Sequence, residues 1–192
     1  GHAPIQKVVE HEIALIRATF DGISSDDIEQ FIELLRDDTR SVYIIGARKI
    51  HTLSFYLYFQ LNAVRENVHL IRPDENYLPE SLLDAKAGDV LVAFDFRRYP
   101  KIIRKTAEFF RESGGKIVLV SDSPAAPIKS LAGINFVVAT KGTAIFDSHT
   151  STIALLNALL REYVNAVGAK IKTRLARMEN VTRHFDIFTW HD

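Results

Sequence analysis

The chain contains no cysteine among its 192 residues. This absence excludes disulfide bonds, thiolate zinc sites and cysteine nucleophiles, and it is typical of proteins of the reducing cytoplasm. An excess of one charge is also lacking, because 24 Lys and Arg balance 24 Asp and Glu. A domain that binds DNA through its phosphates usually carries a basic excess. We therefore expect a cytoplasmic domain that does not itself bind DNA.

Long apolar runs and a signal-peptide pattern are lacking as well, so the sequence predicts no association with a membrane. Apolar residues make up 47% of the chain and charged residues 25%, which is usual for a soluble globular domain. The length suffices for one well-buried core. Gly1 and His2 resemble the remnant of a purification tag.

The first 40 residues have the apolar spacing of two amphipathic helices. The apolar stripe of the first helix consists of Ile5, Val9, Ile13, Ile16 and Phe20. Ser24 and Asp27 resemble a capping box at the start of the second helix. We assign residues 1–40 to a helical linker and residues 41–192 to the main domain, which ends in two further helices.

Five short apolar runs rich in β-branched residues follow the linker, and runs of this kind are typical of strands buried on both faces. They lie at residues 42–45, 68–71, 90–94, 117–120 and 136–138. Helical patterns separate the first four runs, at residues 49–64, 79–86 and 100–113. This alternation predicts an α/β fold with three layers (α/β/α) around a five-stranded parallel sheet.

Ligands of an open parallel sheet bind at the carboxyl ends of its strands. Gly46, Arg48 and Lys49 follow the first run, at a strand-to-helix junction that attracts anions. The two basic residues are either anion contacts or part of a solvated turn. A dinucleotide site would require G-x-G-x-x-G here and an acidic residue after the second run. Arg48 stands at the place of the second glycine, and Arg72 stands at the place of the acidic residue. We therefore expect no nicotinamide cofactor, and nothing indicates another cofactor.

Asp95, Arg97, Arg98 and Tyr99 follow the third run, and Pro100 suits the first turn of the next helix. Two guanidinium groups beside a helix N-terminus can hold a phosphate or carboxylate through paired N–H donors. In the alternative interpretation, one arginine pairs with Asp95 and the other faces solvent. We favour the binding of an anion.

The last two loops at this edge add short polar side chains. Ser121, Asp122 and Ser123 follow the fourth run, where Asp122 could accept a bond from a sugar hydroxyl. Ser148 and His149 precede the long helix, and Ser148 is predicted as its N-cap. The histidines show neither H-x-x-x-H nor H-E-x-x-H spacing, and no nucleophile elbow occurs. We therefore assign ligand-binding residues but no metal ligands and no catalytic residues.

Four sequence segments resemble those of a known family: VYIIG at 42–46, GDVLVAF at 88–94 leading into RYP, SDSPAAP at 121–127, and FDS at 146–148 followed by ALLNAL. On these residues, the span of about 41–160 resembles the sugar isomerase (SIS) domain of RpiR/MurR-type transcriptional regulators. The resemblance implies a flavodoxin-like sheet of order 2-1-3-4-5 and a phosphosugar or related ligand. It also implies a homodimer or homotetramer formed through the outer helices. DNA would be bound by a separate N-terminal helix-turn-helix domain.

The chain departs from the family in both loops that usually hold phosphate. The first loop of the family usually carries G-x-G-x-S, and Ile50 stands at the place of the serine. The second usually carries S-x-S-G-x-T, and residues 95–100 replace it with DFRRYP. A phosphosugar, a sugar acid and a similar anion therefore all remain candidate ligands.

Two other functions are compatible with the same fold. A phosphosugar isomerase needs a general base, for which Glu75, His51 and His149 are the candidates. A degenerate domain would serve only dimerisation, through the first and last helices.

Overall fold

The computed structural model, which describes residues 3–189, contains one five-stranded parallel sheet with the order β2-β1-β3-β4-β5. The strands are β1 (Val42–Gly46), β2 (Val68–Leu70), β3 (Val90–Asp95), β4 (Lys116–Ser121) and β5 (Ile134–Val137). The predicted fold class and strand order are confirmed. Gly1 and His2 lie outside the described residues, so their interpretation as a tag remnant stays a prediction.

The order of the strands reverses between β1 and β3. From β1 the chain moves to one side to form β2, and β3 then pairs with the opposite edge of β1. Gly46 and Phe94 are register partners at the carboxyl ends of these two strands. Open α/β sheets bind ligands at such a reversal.

Within residues 3–189, seven α-helices surround the sheet: α1 (Ala3–Asp21), α2 (Ser25–Arg36), α3 (His51–Val64), α4 (Leu78–Leu82), α5 (Lys101–Glu112), α6 (Thr150–Val167) and α7 (Lys170–His184). Short 3-10 turns lie at Arg48–Ile50 and Lys129–Leu131. Pro100 is the N-cap of α5 and not a residue of its first turn. No helix within residues 3–189 is long and apolar enough to cross a membrane.

Two apolar cores lie on opposite faces of the sheet, because successive side chains of a strand point in opposite directions. Phe94 joins the first core, which α2, α3 and α6 cover. Ala93 joins the second core, which α4 and α5 cover. The same alternation directs the side chain of Asp95, the last residue of β3, to the side of the second core.

Helix α2 belongs to the first core, where it buries Phe31, Ile32 and Leu35. Ser24 is its N-cap, and the Ser24 hydroxyl accepts a hydrogen bond from the N–H of Asp26 instead of that of Asp27. The region assigned to a linker thus shares its packing with the sheet. The boundary at residue 40 stays a prediction.

Helices α1 and α7 leave much apolar surface exposed. Helix α1 packs on α6, and its buried side chains are those of Leu15 and Thr19. Ile5, Val9 and Ile13, which belong to the predicted stripe, are exposed. Helix α7 buries no side chain.

Candidate functional site

A hollow of about 600 Å³ lies at the carboxyl ends of β1 and β3, and its volume suits a small metabolite. Four basic side chains line it: Arg48, Lys49, Arg97 and Arg98. The other lining residues are Ala47, Ile50, Phe94, Phe96, Pro100 and Phe146. The two loops singled out for anion binding therefore share one hollow at the reversal of the strand order.

Gly46 allows the first of these loops to turn back over the end of β1. A Cβ atom at Gly46 would lie 2.8 Å from the carbonyl oxygen of Ile50, which only glycine tolerates without a shift of the backbone. Arg48 has a φ of 56°, a left-handed conformation that non-glycine residues seldom adopt and that recurs at binding sites. This tight turn presents Arg48 and Lys49 to the hollow.

Asp122 holds the second loop. Its Oδ1 accepts a hydrogen bond of 3.0 Å from the hydroxyl of Tyr99, and its Oδ2 accepts one of 3.3 Å from the backbone N–H of Arg97. Tyr99 itself is left-handed, with a φ of 51°. Asp122 and Tyr99 thus position Arg97 and Arg98 without lining the hollow.

Arg97 pairs with Asp147 and not with Asp95: its Nη2 lies 3.4 Å from Oδ2 of Asp147. Both partners are at least partly exposed, so this contact is weak. No ion pair within residues 3–189 involves Arg48, Lys49 or Arg98. Most of the positive charge of the hollow is therefore uncompensated.

Asp95 is 1% exposed, and its Oδ1 has no hydrogen-bond partner among the described residues. Burial, assisted by the negative charge of Asp122, raises the pKa of Asp95 to about 7. Neighbouring Ser121 donates to the carbonyl oxygen of Ser123 at 3.0 Å and to Oδ1 of Asn135 at 3.2 Å. Asp95, Ser121 and Ser123 thus lie in a polar cluster outside the lining of the hollow.

The prediction of Ser148 as the N-cap of α6 is wrong by one residue. His149 is the N-cap residue of α6, while the Ser148 hydroxyl donates a 2.6 Å hydrogen bond to Oε2 of Glu12 and accepts one of 3.3 Å from the N–H of Thr150. The ring of His149 packs edge-on against Phe96, with centroids 5.2 Å apart. Burial and the nearby charge of Lys49 lower the pKa of His149, which favours a neutral ring.

Helix α1 is tied to the loop of residues 138–149 at three points. Besides the contact between Glu12 and Ser148, Nε2 of His11 lies 2.7 Å from the carbonyl oxygen of Lys141. The N–H of Ala139 donates to the hydroxyl of Thr19 at 2.9 Å. Hydrogen bonds from Ser148 and Thr150 lower the pKa of Glu12, so this carboxylate is ionised at neutral pH. The loop itself supplies Phe146 to the hollow and Asp147 to Arg97.

The structure thus divides the predicted ligand-binding residues into two sets. Arg48, Lys49, Arg97 and Arg98 meet in the hollow. The residues that do not line it are Gly46, Asp95, Tyr99, Ser121, Asp122, Ser123, Ser148 and His149. Sequence reasoning missed Phe96 and Phe146, although an aromatic residue in the polar loop before α6 was a usable signal.

A larger hollow of about 950 Å³ lies at the opposite edge of the sheet, near the amino ends of β4 and β5. Four carboxylates and three basic side chains contribute to its lining, so it lacks the excess of positive charge that the first hollow has. Within the described part of the chain, no group of three or more His, Asp and Glu side chains is placed to hold a metal ion.

Residues 34–161, about two thirds of the chain, match the family model of the SIS domain. The chain belongs to the SIS domain family. The predicted resemblance to the SIS domain is thereby confirmed at the level of the family. A comparison with curated protein sequences gives no match.

Solved structures of other proteins have the same fold. The sugar isomerase domain of an RpiR transcription factor from Sphaerobacter thermophilus is 20% identical, with a TM-score of 0.85 over 94% of this chain and 99% of that one. Vibrio vulnificus NanR complexed with ManNAc-6P is 14% identical, with a TM-score of 0.81 over 97% of this chain and 70% of that one. Phosphoheptose isomerase GmhA from Neisseria gonorrhoeae is 13% identical, with a TM-score of 0.68 over 85% of this chain and 98% of that one. At these identities the likeness shows the fold alone.

Proposed function

We propose that this SIS domain is the effector-binding domain of an RpiR-type transcriptional regulator of the cytoplasm. In this proposal the hollow binds a phosphosugar, a sugar acid or a similar small anion. The bound anion then controls DNA binding by a helix-turn-helix domain that lies outside this chain. The observation that carries the proposal is the convergence of Arg48, Lys49, Arg97 and Arg98 in one hollow where the strand order reverses.

The chemistry of the hollow suits an anion better than a neutral sugar. Guanidinium groups bind phosphate and carboxylate through two parallel N–H donors, and Arg97 and Arg98 supply two such groups. Helix α5 begins just after them at Lys101, and the free N–H groups of its first turn add partial positive charge. The shared fold with a domain of an RpiR transcription factor is consistent with a regulator, and the shared fold with NanR, which was solved with ManNAc-6P, is consistent with an anionic ligand.

Helix α1 supports a signalling role, because it is hydrogen-bonded to the loop that carries Phe146 and Asp147. An anion that binds Arg97 competes with Asp147 for the same guanidinium group. Asp147 is adjacent to Ser148, whose hydroxyl is hydrogen-bonded to Glu12 of α1, so a displacement of Asp147 is passed to α1. In a regulator whose DNA-binding domain precedes α1, these contacts link the hollow to that domain.

A phosphosugar isomerase is the alternative, and the arrangement of candidate bases does not favour it. A general base must come within hydrogen-bond reach of its substrate. None of Glu75, His51 and His149 lines the hollow. Glu75 forms an exposed ion pair with Lys105 at 2.9 Å, and Nδ1 of His51 lies 3.2 Å from the carbonyl oxygen of Gly46.

A thermal-shift panel of hexose 6-phosphates, pentose 5-phosphates, 6-phosphogluconate and inorganic phosphate tests the proposed function. A compound that binds the folded chain stabilises it by about 2.7 kcal/mol at about 100 times its dissociation constant. We expect such a stabilisation with at least one sugar derivative, and we expect Arg98→Ala to abolish it. Lys172→Ala, which removes an exposed cation of α7, is the matched control and should keep the full shift.

Three outcomes would contradict this assignment. An unchanged shift in Arg98→Ala would remove Arg98 from the site. Interconversion of aldose and ketose phosphates, followed by NMR, would support the isomerase instead. If none of the compounds stabilises the chain, dimerisation is the one role that remains supported for the domain.

We further propose that the domain assembles as a homodimer or homotetramer through the outer helices on the side of the first core. Helix α3 exposes Phe55 and Phe59, with ring centroids 6.0 Å apart, and Phe59 is 65% exposed. Helix α1, which like α3 packs against α6, exposes Ile5 and Val9. Soluble monomers seldom leave such apolar surface open to water.

Light scattering after size exclusion is expected to give a mass of at least twice 21.7 kDa, and Phe59→Glu is expected to reduce it to that of a monomer. A buried carboxylate without a partner strongly disfavours the interface. Leu83→Glu is the control, since Leu83 is 80% exposed but lies beside the second core. A monomeric parent chain, or an unchanged mass in Phe59→Glu, would contradict this interface.

A further inference from the structure

The four cations of the hollow come in two pairs from two hydrogen-bonded strands. Arg48 and Lys49 follow β1, and Arg97 and Arg98 follow β3. Adjacent strands of a sheet lie only about 4.8 Å apart. The two pairs therefore face the same space, and one small ligand can contact both.

The charge of the hollow exceeds what a single phosphate neutralises. Four cations line it, and Asp147, which pairs with Arg97, is the one carboxylate in the described residues that forms an ion pair with any of them. A phosphate monoester carries roughly 1.5 to 2 negative charges at neutral pH. A sugar with one phosphate would thus leave about one of the three uncompensated positive charges without an anionic partner.

The uncharged lining offers little to the hydroxyl groups of a sugar. Its members are Ala47, Ile50, Phe94, Phe96, Pro100 and Phe146, none of which has a side-chain hydroxyl, amide or carboxylate. A hydroxyl that loses water without gaining a hydrogen-bond partner costs binding energy. Recognition in this hollow therefore depends on the charged groups of the ligand, while its carbon skeleton packs against the aromatic rings.

We infer that the hollow selects a metabolite with two anionic groups on a short carbon skeleton: a sugar bisphosphate or a phosphorylated sugar acid. This inference rests on the anion-binding function proposed above and narrows the class of its ligand. One basic pair holds each anionic group. The planar guanidinium group of arginine fits the oxygens of phosphate and of carboxylate equally well. Experiment therefore has to distinguish a sugar bisphosphate from a phosphorylated sugar acid.

Isothermal titration with matched ligand pairs tests the inference. Fructose 6-phosphate and fructose 1,6-bisphosphate differ by one phosphate, and the open-chain compounds sorbitol 6-phosphate and 6-phosphogluconate differ by one carboxylate. The titrations are run at a fixed ionic strength, because salt screens exposed cations. We expect the doubly anionic member of at least one pair to bind at least about tenfold more tightly, which is the effect of one added charge-assisted hydrogen bond.

The double variant Arg48→Gln/Lys49→Gln tests whether Arg48 and Lys49 cause this gain in affinity. It removes one basic pair, and we expect it to weaken binding of the doubly anionic member more than that of the singly anionic one, so that the affinity ratio within the responding pair falls to about one. Lys172→Gln is the control and should leave the ratio unchanged. Melting temperatures and circular dichroism spectra equal to those of the parent chain establish that the double variant is folded.

The outcomes separate this inference from the function on which it rests. If both members of each pair bind with equal affinity, the inference is wrong and the anion-binding function stands. If the ratio persists in the double variant, Arg48 and Lys49 do not hold the second anion and the assignment of the pairs is wrong. If none of the four compounds binds while another compound of the thermal-shift panel does, the inference is wrong and the anion-binding function stands; if no compound of either set binds, both are contradicted.

Discussion

Asp95→Asn is expected to stabilise the domain by up to about 4 kcal/mol at pH 8 and by much less near pH 4. Asp95 is 1% exposed, and its Oδ1 has no hydrogen-bond partner among the described residues. Burial and the charge of Asp122 raise the pKa of Asp95 from its ordinary value of 3.8 to about 7. The folded chain therefore holds a proton on this carboxyl that the unfolded chain has released.

The sign of the effect follows from proton linkage. Between about pH 4 and pH 7 folding takes up a proton at Asp95, so the free energy of unfolding falls as the pH rises through this range. Above pH 7 the carboxylate is ionised in both states, and the full cost of the buried charge is present. Asparagine has nearly the same shape and no charge, so it removes this cost.

Urea unfolding at pH 5 and pH 8 measures the effect, as the difference between Asp95→Asn and the parent chain. Because every other titrating group is common to both proteins, this difference isolates Asp95. Asp21→Asn, at an exposed position, is the control and should change the free energy of unfolding equally at both pH values. A difference for Asp95→Asn that does not grow with pH would show that this carboxyl is not protonated in the folded chain.

The sheet could be predicted from local patterns because strands buried on both faces need continuous apolar runs. The runs at residues 90–94 and 117–120 predict β3 and β4 to within one residue at each end. The order of the strands depends on contacts between distant residues, which no local pattern contains. It came from the resemblance to the SIS family instead.

The candidate site was less predictable, since it depends on contacts across the whole chain. The basic pairs were recognisable because charge at the end of a buried strand is unusual. The contact between Ser148 and Glu12 joins residues 136 positions apart, so Ser148 was interpreted from its neighbours alone, as a helix cap. Asp95 was grouped with Arg97 by its place in the sequence, although the alternation along β3 directs it to the opposite side from Phe94.

Local sequence patterns did not single out Arg65, and we expect its replacement by methionine to destabilise the domain by about 4 kcal/mol or more. Its side chain is 1% exposed and lies at the amino end of the sheet. All the partners of its guanidinium group are backbone carbonyl oxygens within hydrogen-bond distance. They are those of Leu35 (2.9 Å), Asp37 (2.9 Å), Arg40 (2.7 Å), Glu66 (2.7 Å) and Asn67 (3.4 Å).

These bonds join the segment after α2 to the segment before β2, two stretches that lack regular structure. Methionine keeps much of the volume of Arg65 but donates no hydrogen bond, so five carbonyl groups lose a donor. Those of Asp37 and Asn67 keep a second donor, the backbone N–H of Arg40 and of Val42, which leaves three without one. Each buried acceptor left unsatisfied costs about 1–3 kcal/mol. The sum is a large share of the 5–15 kcal/mol by which a typical domain is stable.

Urea unfolding of Arg65→Met, Arg65→Lys and Arg36→Met tests this account. Lysine keeps the charge but has only three donors and no planar fork, so Arg65→Lys should lie between the methionine variant and the parent chain. Arg36 is the matched control: its side chain is 51% exposed and pairs with Glu33 on the same helix, so its loss should cost less than about 1 kcal/mol. Equal losses at Arg36 and Arg65 would mean that the carbonyl groups around Arg65 find other donors, and that the two irregular segments do not depend on its guanidinium group.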